Sequence, residues 1–328
     1  MKSPLSRRCE SIQSEVSTAT ASNARLKTST AHTNVFGDSE EFLKIAKTCH
    51  GSRMLQEELM RLRETGNELY VLCITLLEIS TRQIKSLVRL IVAGGYVQDL
   101  VTDKFANYFI QTLLGNIQET SLNSLVDSIT GSSESFAQLC THQYASHVVQ
   151  TAINMSGGNI QCSSKLAKCL CDNVVPIGTH FLGSICLIHA IDSLALSASL
   201  TPTFSTHWQP LSLSRHGHVV MMHALDRYDD NFLQIVADRT LDSLEYFISD
   251  DFGYRVLIHL LNQIQVRGLS RMSIIPKLVG LIKFNAQYFR LIEYLVVNFS
   301  KNEQVKHKLI PAIVRIVQDG AVTAHMGN

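Results

Sequence analysis

Asp103-Lys-Phe-Ala-Asn107-Tyr108-Phe-Ile-Gln111-Thr-Leu-Leu114 is the stretch on which the reading of the chain turns. It has an echo at Thr141-His-Gln-Tyr-Ala-Ser146-His147-Val-Val-Gln150-Thr-Ala-Ile153. Wound as a helix at about 100° per residue, the first copy puts Phe109, Ile110, Leu113 and Leu114 on one face, suited to a core. Asn107, Tyr108 and Gln111 fall on the opposite face. In the echo Val148, Val149, Ala152 and Ile153 point inward, and Ser146, His147 and Gln150 outward. Two outward faces with the same polar–planar–polar order are not explained by packing alone.

The pattern recurs. Gly51-Ser52-Arg53-Met54-Leu55-Gln56 is a third copy, with Ser52, Arg53 and Gln56 outward and Met54, Leu55 and Leu59 inward. Later copies centre on Ser184-Ile185-Ile188, His218-Val219-Met222, Tyr254-Arg255-Ile258 and Tyr288-Phe289-Ile292. The first outward residues stand at 52, 107, 146, 184, 218, 254 and 288, giving steps of 55, 39, 38, 34, 36 and 34. A period near 36 is that of a helical solenoid. The step of 55 predicts roughly one extra helix between the first two copies, supplied by residues 65–94. Segments such as Leu122–Ile129 and Phe232–Val236 predict second helices between the marked ones. An apolar helix over 305–318, with Pro311 inside it, is expected to cap the far end.

Bulk properties bound the function. The 328 residues are 45% hydrophobic and 17% charged, as in a folded protein with a sizeable core. The net charge of +1 gives no general polycation, so nucleic-acid binding would need locally concentrated donors. Eight Cys lie without paired spacing, which favours reduced thiols. Cys140-x-His142 and Cys169-x-Cys171 are the nearest thing to zinc half-sites, but no partner pair accompanies them. The longest apolar run, Leu69–Leu77, is far short of the roughly 20 residues that span a bilayer, so no membrane role is expected. The segment from Met1 lacks a secretory apolar core, and Glu10 and Glu15 argue against a transit peptide. Residues 1–38 are Ser/Thr-rich and predict a disordered tail, followed by a repeat domain over 39–318 and a short tail over 319–328.

Catalytic patterns are missing from the sequence. It has no Walker or dinucleotide glycine loop, no G-x-S-x-G elbow and no H-E-x-x-H. His147 has no partner motif that would make it a base or a metal ligand. A non-enzyme without cofactor or metal is expected.

The three N-terminal copies, with their lead-ins Leu100-Val-Thr-Asp103-Lys-Phe105 and Leu139-Cys-Thr-His142-Gln-Tyr144, resemble the Pumilio/FBF (PUF) family of RNA-binding repeats. The resemblance runs over roughly 40–318 and is sharpest in the first third. It implies an all-α, right-handed superhelical solenoid, an armadillo-like curved stack in which one helix per repeat reads one base. It implies that Asn107 and Gln111 read uracil with Tyr108 stacking. Ser52 with Gln56, and Ser146 with Gln150, would read adenine, with Arg53 and His147 stacking. Because the family binds RNA antiparallel to its repeats, the implied site is single-stranded 5′-AUA-3′ across repeats three, two and one. The implied role is post-transcriptional control of translation or stability through mRNA 3′ untranslated regions. The expected protein is a cytoplasmic monomer, with the nucleus or nucleolus as the alternative location. For Arg53 the competing reading is a surface ion pair with Glu57 or Glu58. Ile258, Ile292 and Met222 cannot hydrogen-bond a base edge, so the later copies depart from the family. Tyr254, Arg255, Tyr288 and Phe289 either stack on bases without reading them or pack on a protein. The alternative function is accordingly a degenerate solenoid that scaffolds proteins or serves rRNA processing without base reading.

Overall fold

A computed structural model of the chain describes residues 39–64, 72–269, 274–282, 288–303, 305–311 and 313–314. The expected tails over 1–38 and 319–328 lie outside the described residues, as does 315–318 of the expected terminal cap. The chain divides at Asp38/Ser39 into two units, and the second, Ser39–Asn328, carries everything described below.

Every regular element among the described residues is helical, and the helices come in triplets. The first is α1 (Ser39–Ala46), α2 (Cys49–Glu64) and α3 (Leu72–Ala93). The second is α4 (Val97–Thr102), α5 (Ala106–Leu114) and α6 (Glu119–Ile129), and the third is α7 (Ser133–Thr141), α8 (Ala145–Met155) and α9 (Ile160–Asp172). Then follow α10 (Val174–Gly178), α11 (Phe181–Asp192) and α12 (Leu194–Thr206), and after them α13 (Trp208–Ser212), α14 (Gly217–Arg227) and α15 (Asp230–Asp242). The sixth is α16 (Leu244–Ser249), α17 (Asp251–Val266) and α18 (Ile274–Leu281), with α19 (Phe289–Asn298) and a π-helical turn (Val305–Leu309) beyond it.

Two ladders of contact run through the stack. The middle helices pack in succession, α2 on α5, then α8, α11, α14 and α17, and the third helices do the same from α3 through α6, α9, α12 and α15 to α18. Tyr254 Oη donates to the Arg290 carbonyl oxygen at 3.0 Å, which brings α19 beside α17. All the marked helices therefore share one ladder. Its apolar faces form the core: Phe109, Ile110, Leu113, Leu114, Val148, Val149, Ala152 and Ile153 are all buried. Burial stabilises by roughly 1.5–3 kcal/mol per large apolar side chain. Met54, expected inward, is 39% exposed. Its counterpart Phe109 is covered by Phe42 of the preceding triplet, in an edge-to-face contact at 5.8 Å. No described element precedes α1 to do the same for Met54.

The long first step has a different cause from the one the spacing suggested. Among the described residues no additional helix lies between the first two copies. Instead α2 and α3 have 16 and 22 residues, where α5 and α6 have 9 and 11. α3 then stops at Gly95, whose φ of +70° is open to glycine, with Tyr96 N donating to Ile91 O. No single described helix is long and apolar enough to cross a membrane, and the apolar pair α11–α12 bends by 117° at its break.

Each middle helix begins in the same way. Four residues before the first outward position stands a side chain that accepts backbone N–H bonds: Thr48, Asp103, His142, His180, Ser214 and Asp250. Asp103 is the strongest case, taking Phe105 N and Ala106 N at 2.8 Å each. One residue before the first outward position the side chain is minimal, because the helix there meets a carbonyl of the preceding short helix. A Cβ on Gly51, Gly183 or Gly217 would lie 2.0, 2.2 or 2.5 Å from Ile45 O, Ile177 O or Leu211 O. Gly183→Ala is therefore expected to lower stability by about 1–3 kcal/mol, while Gly157→Ala, where nothing lies within 4 Å, stays near wild type in urea unfolding.

Candidate nucleic-acid interface

The marked residues sort into three rows along the ladder of middle helices. Arg53, Tyr108, His147, Val219, Arg255 and Phe289 are exposed, Tyr108 to 59% and Phe289 to 52%, and Ile185 is half-buried. Three residues further on, Gln56, Gln111, Gln150, Ile188, Met222 and Ile258 are half-buried, and Ile292 is buried. The expected outward positions Ser52, Asn107 and Ser146 are buried instead, at 3%, 1% and 0% exposure. The helical-wheel argument set them opposite the core but did not count the next helix of the ladder, which covers them. Ser52 makes this visible, its Oγ donating to Phe105 O of the next repeat at 2.8 Å. On the far side, the Cys186 thiol donates to Ser146 O at 3.7 Å.

Burial gives these residues a different task. Asn107 Nδ2 donates to Asp103 O and Lys104 O, at 2.8 and 2.9 Å, and Asn107 Oδ1 accepts from Gln111 Nε2 at 2.9 Å. Its amide thus closes the helix start and aims Gln111. Gln111 keeps its Oε1 and its second N–H for a base edge, beside the exposed Tyr108 ring. Gln56 is held similarly, Nε2 bonding both Ser52 O and Ser52 Oγ at 3.1 Å. Gln150 reaches Cys186 Sγ at 3.9 Å, and Ser146 Oγ is buried without a partner. Arg53 pairs with neither Glu57 nor Glu58, and its guanidinium stays open.

The C-terminal half of the ladder is built differently, through polar rungs that sequence inspection missed. His223 Nε2 and Arg227 Nη2 meet Asp192 Oδ1 at 2.9 and 2.8 Å. His259 Nε2 and Gln263 Nε2 meet Asp226 Oδ1 at 2.7 and 2.6 Å, and Tyr294 Oη donates to Asn262. The signal was present: His223 and His259 each stand five positions after the first marked residue of their copy, and Asp192, Asp226 and Asn262 eight after theirs. At the marked positions themselves Tyr254 lies under the Arg290 guanidinium, 4.4 Å from its ring centre, and burial raises its phenol pKa so that it stays a donor to Arg290 O. His218 stacks on Phe252 at 4.9 Å. Tyr288 is 2% exposed and belongs to the core; the ring open to solvent there is Phe289.

Cys140 and Cys169 are buried. Burial, then hydrogen bonding with Cys186, holds the Cys140 thiol well above its ordinary range, and burial followed by the Asp172 charge raises Cys169. Protonated thiols are poor ligands. Among the described residues no three His, Cys, Asp or Glu side chains converge on a metal-sized site.

The pattern described as a Pumilio-family RNA binding repeat matches residues 96–130 and 135–161, the second and third triplets. Residues 96–161 carry PUF-type repeats. No curated protein sequence matches it. Its helical stack is similar to the Puf4 RNA-binding domain bound to an HO endonuclease RNA 3′ UTR recognition sequence, with a TM-score of 0.61 at 16% identity over 84% of this chain and 79% of that one. It is similar also to yeast Puf5p bound to AAT2 RNA (0.58, 16% identity, 87% and 78% covered) and to Puf3 bound to Cox17 RNA site A (0.53, 21%, 92% and 79%). At these identities the likeness establishes the fold, a solenoid of PUF-type helical repeats.

The geometry separates holding from contacting within one PUF repeat. Asn107→Ala removes the side-chain donor from two carbonyl oxygens and releases Gln111, so it is expected to cost about 1–3 kcal/mol of stability without any ligand present. Tyr108→Ala, at an exposed site, is expected to stay within about 0.5 kcal/mol. Urea unfolding of the two variants checks the contrast.

Proposed function

We propose that the first three repeats bind single-stranded RNA base by base, with 5′-AUA-3′ set across α8, α5 and α2. The observation that carries this reading is the repeated pair on adjacent helices of one ladder: an exposed planar or cationic group (Arg53, Tyr108, His147) and, three residues on, a glutamine (Gln56, Gln111, Gln150), whose amide is held by Ser52 and by Asn107 in the first two. Stacking on such a platform contributes about 1–3 kcal/mol per base. A glutamine amide offers one donor and one acceptor, which matches a Watson–Crick edge. The resemblance to PUF repeats supports the uracil assignment at Asn107 and Gln111, the adenine assignments on either side, and a role in regulating mRNAs through their 3′ untranslated regions in the cytoplasm.

The later repeats have no such pairs. Ile185 and Val219 stand where a stacker would, and Ile188, Met222 and Ile258 where a reader would. Arg255 and Phe289 remain exposed, and we assign to them stacking that is indifferent to base identity. A second reading, a scaffold for a protein partner, draws support from Val219, 47% exposed on the same wall.

Titration with short RNAs of equal length and salt separates the readings. RNA carrying AUA is expected to bind at least about tenfold tighter than RNA carrying CCC. Equal affinity that falls steeply with salt would mean backbone attraction without reading. Absence of RNA binding, with a protein co-purifying stoichiometrically, would favour the scaffold. Recoding goes further: in PUF repeats Ser with Glu favours guanine, so Asn107→Ser with Gln111→Glu is expected to shift the preferred central base from U to G.

A further inference from the structure

The glutamines of the first three repeats are not held alike. Gln56 is tied to Ser52 and Gln111 to Asn107, each through the residue four positions earlier on its own helix. In the third repeat that tie is missing. Ser146 Oγ is fully buried with no hydrogen-bond partner, Gln150 included. Among the described residues Gln150 Nε2 has one partner, Cys186 Sγ of α11 at 3.9 Å. The hold on this glutamine is therefore supplied by the next repeat.

Cys186 is built into the junction between the two repeats. Its side chain is fully buried. The sulfur lies 3.7 Å from Ser146 O in the first turn of α8 and 3.8 Å from Cys140 O near the end of α7. A thiol has a single S–H, so it serves one of these carbonyls at a time and leaves the sulfur lone pairs to face the Gln150 amide. Both carbonyls belong to the third repeat. The thiol is thus anchored on the same repeat whose glutamine it holds.

The sequence sets this position apart. Cys186 stands two residues after Ser184, and the corresponding places in other copies hold Val148, Val220 and Val256. Those three valines are buried. A valine there packs but accepts no hydrogen bond, so what Cys186 adds to the rung is an acceptor. Sulfur is a weak acceptor, and its effect is on orientation. A half-buried glutamine gives up side-chain freedom on meeting a base, and an amide already turned by a neighbour gives up less.

We propose, on the footing of the base-by-base reading above, that Cys186 is a positioning residue for base selection by the third repeat, acting through Gln150 without touching RNA. The 5′ A of AUA then depends on side chains of two repeats, whereas the U is met by Asn107-held Gln111 and Tyr108 of one helix.

The test is a fluorescence-anisotropy titration of the full chain with RNAs of one length at fixed salt, in which each base of AUA is changed in turn to C. The preference at a position is the ratio of the affinity for AUA to that for the single change. Cys186→Val is expected to lower the preference at the 5′ A about three- to tenfold and to leave those at the U and the 3′ A within about twofold. Cys186→Ala, which removes the acceptor with less bulk, is expected to do the same, so a packing fault in one variant does not decide the result. With Gln150→Ala already in place, Cys186→Val is expected to have no further effect on the 5′ preference. Unchanged preference at the 5′ A in either variant overturns the proposal, as does an equal loss at all three positions or the same loss with Gln150 already removed. A wild-type chain that discriminates at the U and the 3′ A but not at the 5′ A overturns it too, and leaves the reading by the first two repeats standing. A wild-type chain that discriminates at none of the three overturns the base-by-base reading itself, and this proposal with it.

Discussion

Everything the middle helices present depends on how each one starts. A side chain four residues upstream takes one or two backbone N–H groups, and a residue with little or no Cβ lets the helix sit against a carbonyl of the short helix before it. The two devices act together. The cap satisfies donors that a helix N-terminus otherwise leaves open, and the close approach fixes the rotation of the helix about its axis. Once rotation is fixed in one repeat, packing on the next transmits it, since each middle helix contacts its successor. Solenoids owe their regularity to such nearest-neighbour terms.

Burial of Ser52, Asn107 and Ser146 follows from that arrangement. These residues sit where adjacent middle helices meet, and their polar groups serve the interface: Ser52 bridges to Phe105, and Asn107 closes the start of α5 and orients Gln111. A glutamine anchored at its root has fewer rotamers to lose on meeting a base. In the C-terminal half the same surface is tied into His–Asp and Arg–Asp rungs. Cations already engaged with carboxylates are less available to phosphates, so two halves of one ladder, built on one period, offer a ligand different chemistry.

Much of this was legible in the residues. The period near 36 and the apolar faces of α5 and α8 led directly to the stacked helices, because both are properties of a single helix and its spacing. The exposure of Arg53, Tyr108 and His147 followed from the same wheel. What escaped were features set by neighbouring helices. A wheel drawn for one helix cannot show that the next one covers Asn107, or that Met54 is left open. The 55-residue step was read as an added helix because spacing measures length, and longer helices lengthen a step as well as extra ones do. The rungs at Asp192 and Asp226 pair side chains 31 and 33 residues apart in sequence, and only knowledge of which helices touch reveals them.

Photo-crosslinking tests the central claim, that consecutive helices of one wall meet consecutive bases, most directly. A short RNA carrying 5′-AUA-3′ with its uridine replaced by 4-thiouridine is irradiated on the full chain, and the adduct is located by peptide mass spectrometry. The account predicts an adduct on the stretch from Tyr108 to Gln111, lost in a competitor-blocked control. An adduct confined to α6, α9 or another helix of the third-helix ladder would contradict it.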